Sequence, residues 1–269
     1  MSGLASAPLG TFVQQTGANA NYNSLQASLT KRYSNGLQFL ASYTWSHSID
    51  DYSGTAVNDL TAVFGDTHKN YVASSDFDRK HRFVMSAVYD FPKFFKGGNA
   101  FAKRLVNDWE IAGIGTIQSG TPFSIVTDAS AFNNAYASLA SGRTVQSAVK
   151  DSAPINRLDA YFDTTAFVPA CTYNPPAACT AGDFGNVPRN PMRGPGQSNI
   201  DFSIVKFIPV TESQKIEFRT EFFNIFNHTN FGNPVSVKGT ATAPNAQFGR
   251  ILTTSTGPRV IQFAVKYNF

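Results

Sequence analysis

Lys215, Glu217, Arg219 and Glu221 occupy every second position of a short run. In an extended chain residues two apart share one face, so two cations and two carboxylates would stand together. On a soluble protein such a face is solvated. In a barrel it faces a polar lumen, where it can pair charges across strands or touch a plug or a substrate. Cys171 and Cys179 lie in one Pro-rich stretch, separated by Thr-Tyr-Asn-Pro-Pro-Ala-Ala. They can form a disulfide in an oxidising compartment or stay reduced in a cytosolic one. Two cysteines alone cannot make a four-ligand zinc site, and no His pair sits nearby.

The remaining candidates are weaker. His47, His68, His81 and His228 include no HExxH and no pair four apart, so they read as ordinary loop or strand-end residues. No Gly-x-Ser-x-Gly is present. Gly113-Ile114-Gly115 lacks the third glycine of a dinucleotide fingerprint and reads as a place for close packing or a bend. Asp50, Asp51, Asp59 and Asp66 could offer oxygen ligands to Ca²⁺, but their spacing fits no EF-hand loop. The expectation is a chain that is not an enzyme and holds no cofactor or metal.

Composition narrows what could position these residues. Of 269 residues, 42% are hydrophobic, 13% aromatic and only 15% charged, against about 25% charged in an average soluble domain. A disordered chain would be poor in aromatics and rich in charge, and a coiled coil needs charged heptads. No run approaches the ~18 apolar residues of a membrane-crossing helix. Basic residues exceed acidic by a net charge of +4 without any run of five like charges, so nucleic-acid binding gains no support. Low charge, many aromatics and no long apolar run suit membrane strands, which hide apolar residues at alternate positions.

Period-two patterning predicts seven strands, at 22–33, 37–47, 81–91, 109–119, 198–208, 215–227 and 259–269. The last is the cleanest. Ile261, Phe263, Val265, Tyr267 and Phe269 alternate with Val260, Gln262, Ala264, Lys266 and Asn268. Asn35-Gly36 between the first two signals a tight hairpin. Helical spacing is scarce, with one short candidate at 99–108.

The connections are 34–36, 48–80, 92–108, 120–197, 209–214 and 228–258. Short and long alternate. Successive connections of an antiparallel meander lie at opposite ends of the sheet, so one end carries all the long loops. Outer-membrane barrels sort their loops this way, with short periplasmic turns and long extracellular loops. The C-terminus then falls on the periplasmic side and residues 1–21 on the extracellular side. On that reading Cys171 and Cys179 close a small extracellular loop. The fold class expected is all-β: an antiparallel transmembrane β-barrel segment of about seven strands, an incomplete barrel with long extracellular loops.

Six segments carry a family resemblance. They are Asn21–Gln26 leading into Thr30-Lys31-Arg32, Tyr43–Asp50, Asp78–Phe83, Arg193–Gly196 followed by Asn199–Ser203, Arg219–His228, and Phe248–Ile251 with the terminal Tyr267-Asn268-Phe269. In order and spacing they resemble the C-terminal barrel portion of TonB-dependent outer-membrane receptors, closest to the Oar-like branch. The resemblance implies a plugged twenty-two-stranded barrel that moves a nutrient with energy from the TonB complex. It places residues 1–269 as the C-terminal part of such a barrel, without plug domain or signal peptide, in the cell outer membrane of a Gram-negative-type bacterium. The partners implied are outer-membrane lipid, the barrel-assembly machinery, the N-terminal strands and plug, and the TonB complex through that plug. The alternative is a surface-binding or adhesive outer-membrane β-protein without transport.

Within that frame the last strand reads as the barrel-assembly signal, carried by Phe263, Val265, Tyr267 and the terminal Phe269. Trp45, Tyr43, Trp109, Tyr89, Phe91, Tyr267 and Phe269 read as an aromatic girdle at the two interfaces.

Overall fold

The computed structural model describes residues 19–53, 72–97, 99–127, 136–170 and 185–269. Seven strands form one antiparallel meander: β1 (Ala20–Ser34), β2 (Leu37–Asp50), β3 (His81–Asp90), β4 (Trp109–Gln118), β5 (Gln197–Pro209), β6 (Lys215–Phe223) and β7 (Val260–Asn268). Each pairs with its sequence neighbours in chain order. The short segment Ala73–Ser74 adds to the end of β2 beside Ile49 and Asp50. All seven expected strands are present.

The β1–β2 turn shows why the sequence folds locally. Asn35 and Gly36 both take positive φ, 53° and 79°, the type I′ geometry whose twist suits a two-residue hairpin. A Cβ on Gly36 would collide with the Asp90 carbonyl oxygen. The neighbouring strand β3 therefore ends against the turn.

The register keeps the alternation intact across the sheet. Tyr43 stands opposite Phe83, and Phe83 opposite Ile117. Phe202 stands opposite Phe222, and Phe222 opposite Ile261. The intervening positions align Ser42 with Val84 and Thr116, and Ser203 with Glu221 and Gln262. One face is thus apolar and aromatic and the other mostly polar. A slip of one residue in any pair would reverse that strand's faces.

Among the described residues β1 pairs only with β2, and β7 only with β6. The sheet is not closed. An odd number of antiparallel strands also makes β1 and β7 run in the same direction.

The connections sort by end as the sequence predicts. The turn 35–36, the segment 91–108 and the turn 210–214 lie at one end; 51–80, 119–196 and 224–259 lie at the other. The segment 91–108 contains helix α1 (Ala100–Val106), close to the expected 99–108, with Asn99 accepting from the Phe101 N–H at its start. Strand β6 ends at Phe223, not at 227. Asn224 enters the left-handed region at φ 52°, and its buried side chain bonds both ways with His228. That turn diverts the chain before the alternation of Phe222 and Phe226 is spent.

The largest departure is the connection 119–196. Read from sequence it is one long loop. Here it carries helix α2 (Val145–Ala148), two 3₁₀ turns and short paired segments. With the connection 224–259 it encloses the hydrophobic core of the described residues. Phe162 is fully buried, with Phe123, Phe167 and Phe248 at ring-centroid distances of 6.0, 5.6 and 5.2 Å. Ile125, Tyr161, Val187, Met192, Ile251 and three alanines join the cluster. Each large apolar side chain so enclosed is stabilised by about 1.5–3 kcal/mol. The sheet contributes to the buried apolar set only through Val205. The long connections therefore form a folded cap with a core of its own.

Candidate functional site

Three surfaces carry the chemistry: the polar face of the sheet, its apolar face, and the cap that closes one end.

On the polar face Arg219 donates to Glu217 at 2.7 Å and lies 3.6 Å from Glu221. These contacts run along β6, between residues two apart, rather than across strands. Lys215 reaches over the Phe207 ring at 4.8 Å, and among the described residues no carboxylate forms an ion pair with it. Glu110 and Asp90 align next to each other on the same face, which leaves this end of the polar face rich in acid. All four expected charges share that face.

On the apolar face Trp45 and Tyr43 stand near the cap end, where the Tyr43 hydroxyl meets His81 Nδ1 at 2.7 Å. Tyr89, Phe91, Trp109, Tyr267 and Phe269 gather at the short-turn end. Tyr89 meets Phe91 edge-on at 5.1 Å, and Tyr267 stacks on Phe269 at 5.9 Å. Between Trp45 and Leu37, the partner of Tyr89, lie eight residue steps of β2. At ~3.3 Å per residue that is about 26 Å along the strand. At the 35–45° tilt of barrel strands this is roughly 20 Å of height, a little less than the ~25 Å apolar band between the two aromatic girdles. Phe263, Val265 and Tyr267 of the edge strand β7, and Phe269 just beyond it, are all exposed.

Gly113 and Gly115 occupy outward positions of β4. A Cβ there would meet only ordinary contacts, with the Asp201 carbonyl and Phe202 at Gly113 and with Ile200 at Gly115. The expected close packing is absent at this pair. It occurs instead at Gly120, where a Cβ would strike the Gly194 carbonyl. Strand β4 thus leaves the sheet in direct contact with the Arg193-Gly194-Pro195-Gly196 segment.

The cap is fastened to the strand ends by a polar lock. Arg189 of the cap pairs with Asp50 at the end of β2, both nearly inaccessible. Arg193 pairs with Asp78, which also accepts from the Ser48 N–H at 2.8 Å and meets His47 Nδ1 at 3.2 Å. Burial alone would raise the Asp78 carboxyl, yet the Ser48, Arg193 and His47 contacts together hold it below the usual carboxylate range. Asn190 donates to the Ser74 carbonyl at 2.8 Å and to Asp76 at 2.5 Å. Arg79 donates to the Ser119 carbonyl at 2.7 Å.

The second cap connection has its own anchor. The buried Asn230 accepts from Ser198 N–H at 2.6 Å, and donates to the Ser198 carbonyl at 2.8 Å and to Thr256 at 2.9 Å. Inside the cap, burial lowers the Lys238 amine, which sits 4.7 Å over the Phe248 ring. Burial likewise raises the Tyr161 phenol.

Several of these residues sit in the segments that carried the resemblance: Asp50, Asp78, Arg193 and Asn224. Sequence reading singled out the segments but not the pairs. Asn190, Arg189 and Asn230 had no such signal. Asp50 and Asp51, weighed above as Ca²⁺ ligands, have other partners; Asp51 accepts from the Asn19 N–H and side-chain amide. Asp59, Asp66, His68, Cys171 and Cys179 lie outside the described residues. Among the described residues no three His, Cys, Asp or Glu side chains gather as a metal site.

The arrangement has a spatial capacity. It can place an apolar band in lipid, present a polar face to a lumen, and hold a rigid recognition surface outside the membrane. A family model described as an outer membrane beta barrel domain matches residues 9–262. No curated protein matches the chain.

Proposed function

The chain belongs to the outer membrane beta-barrel domain family, and from that premise we propose that it forms the C-terminal wall of a TonB-dependent transporter. In this reading β1–β7 supply about a third of the wall, the polar face lines the lumen, and the cap meets a nutrient outside the cell. Its role is binding and passage, not catalysis. The chain itself uses no cofactor. The wall contacts outer-membrane lipid. The barrel-assembly machinery reads Phe263, Val265, Tyr267 and Phe269. The TonB complex acts through a plug that lies elsewhere in the protein.

The observation that carries this reading is the loop sorting. Every long connection lies at one end, and there they build a folded cap on a sheet whose two edges are open. Loops on a rigid scaffold are where recognition resides.

The test has two parts. A cysteine at the exposed cap position Ala241 should react with an impermeant maleimide in intact cells. One at the exposed turn position Ser213 should react only after the outer membrane is breached. Cells lacking this protein should then leave in their medium a nutrient that cells lacking TonB also leave. A nutrient taken up normally without TonB would sink the transport reading. Normal uptake of all nutrients in cells lacking this protein would favour a surface-binding barrel.

A further inference from the structure

The connections at the short-turn end are unequal. Two are tight turns, 35–36 and 210–214, while 91–108 is far longer and carries helix α1. This connection is a folded element. The buried Asn107 accepts from the Phe95 N–H at 3.0 Å and donates to the Phe95 carbonyl at 2.7 Å, closing the loop on itself. Its own N–H ends the helix on the Lys103 carbonyl. Backbone groups answered internally can stand where water gives way to lipid. The element also lies on the lipid side of the sheet. Trp109 and Lys206 stand opposite each other on the outward face, and both reach the end of α1. The Trp109 indole donates to the Leu105 carbonyl at 2.9 Å, and the Lys206 amine donates to the Asn107 carbonyl. Lys206 is buried there, although its neighbours in register are Trp109 and Phe218.

The surface of this element is amphipathic. Phe101 and Leu105, four apart on α1, share one stripe. Both are exposed, Phe101 by 73%. Phe94 and Phe95, just before the helix, are exposed as well. Lys93, Lys96, Lys103 and Arg104 stand against one acid, Asp108, so four cations less one anion leave a charge of +3. Asp108 lies 3.8 Å from Lys93. Among the described residues no carboxylate forms an ion pair with Lys96, Lys103 or Arg104. An exposed apolar cluster rimmed by free cations is how an element lying in a membrane interface is built.

We propose that the connection 91–108 is an interfacial foot that lies in the periplasmic leaflet and selects acidic phospholipid. Phe94, Phe95, Phe101 and Leu105 enter the boundary of the acyl chains. Lys96, Lys103 and Arg104 stay at headgroup level and meet the anionic phosphates. The apolar surface of the foot continues into the lipid-facing band through Phe91 and Trp109, which are joined backbone to backbone at 2.9 Å. Its occupant is therefore the bilayer that already covers that band. The foot would fix the β3–β4 end of the wall at a set depth and gather acidic lipid beside it. The inference rests on the barrel-wall reading.

The experiment uses the full-length protein in bilayer discs, after its heat-modifiable mobility has been checked. One set of discs is phosphatidylethanolamine alone; the other is phosphatidylethanolamine mixed with phosphatidylglycerol. Hydrogen exchange of 93–106 should be about tenfold slower in the acidic discs at low salt, the scale of one to two cations at an anionic surface. High salt should shrink the difference. Lys103→Glu combined with Arg104→Glu should abolish it, and Lys103→Arg should keep it. Phe101→Ser, at an exposed position, should reduce protection in both kinds of disc. Equal exchange in the two discs, or a difference that survives the double reversal, overturns the proposal. Protection by inorganic phosphate in the phosphatidylethanolamine discs would make this a free-anion site and overturn the lipid assignment. Protection that appears only when a periplasmic extract is added would mark a protein partner and overturn it as well. Failure of the barrel reading would show earlier, as protein that never reaches a heat-modifiable folded form.

Discussion

Arg193 of the cap donates to the carboxylate of Asp78, although 115 residues separate them in the chain. The pair joins the segment that leads back into β4's neighbour β5 to the segment that leads into β3. Two long connections are thereby tied to each other at the mouth of the sheet. Asp50 and Arg189 repeat the arrangement 139 residues apart.

Removing one member of such a pair leaves the other buried and unanswered. Asp78→Asn should cost roughly 2–3 kcal/mol, below the figure for a fully enclosed pair because Arg193 is partly exposed. The effect should be local. Hydrogen exchange should accelerate in 119–127 and 185–196 while β2, β3 and β4 stay protected. Acceleration spread evenly over the sheet would contradict a cap held by this lock.

Acid should loosen the same lock. The Asp78 carboxyl is held below its ordinary value in the folded cap. A group depressed on folding contributes stability above its unfolded pKa of ~3.9 and loses it as pH falls through the folded value. Cap protection should be flat from neutral pH down to about 4 and fall below that. Asp78→Asn should remove the part of that fall owed to this group. A cap already opening above pH 5 would point to another titrating group.

The β1–β2 turn admits little change. Gly36→Val would force a β-branched residue into positive φ and drive its Cβ into the Asp90 carbonyl. The left-handed conformation alone costs about 1–2 kcal/mol, and the collision adds to it. The variant should show a lower urea midpoint for barrel unfolding. Gly97→Ala, where a Cβ meets nothing within 4 Å, is the control and should change little.

Met85 and Ser86 test the two faces at one depth. They are neighbours near the middle of β3, Met85 on the apolar face beside Ala41 and Gly115, Ser86 on the polar face beside Leu40 and Ile114. Met85→Arg should cost about 2–4 kcal/mol in a bilayer, as charge does on a lipid-facing midplane position. Ser86→Arg should be tolerated. Equal tolerance of both in assembled outer membrane would refute the assignment of faces.

The strands were legible because alternation survives wherever one face meets lipid and the other water. Tyr43, Phe83 and Ile117 belong to three separate runs, and each run reveals its own period without knowledge of the others. Boundaries were legible only where a turn has a local signal, as at Asn35-Gly36. At Asn224 the signal is a side chain bonding back to His228, which competes with a hydrophobic pattern that runs on to Phe226. The cap was not legible. Phe123, Ile125, Phe162, Phe167 and Phe248 follow no period, since irregular backbone presents no fixed face. Their burial depends on contacts between connections far apart in sequence. The polar lock shares that property: Asp78 and Arg193 each stood in a noticed segment, but nothing in either segment names the other.

The shared direction of β1 and β7 sets a parity rule for whatever completes the wall. Bending this sheet until its own edges meet would join two strands of the same sense, a parallel seam. A second copy inserted the same way up would create two such seams. Only a set whose first and last strands both run opposite to β1 and β7 can pair antiparallel at both edges. In a meander such a set has an odd number of members. The rule selects the complementing strands by their sense and count, before any side chain is considered.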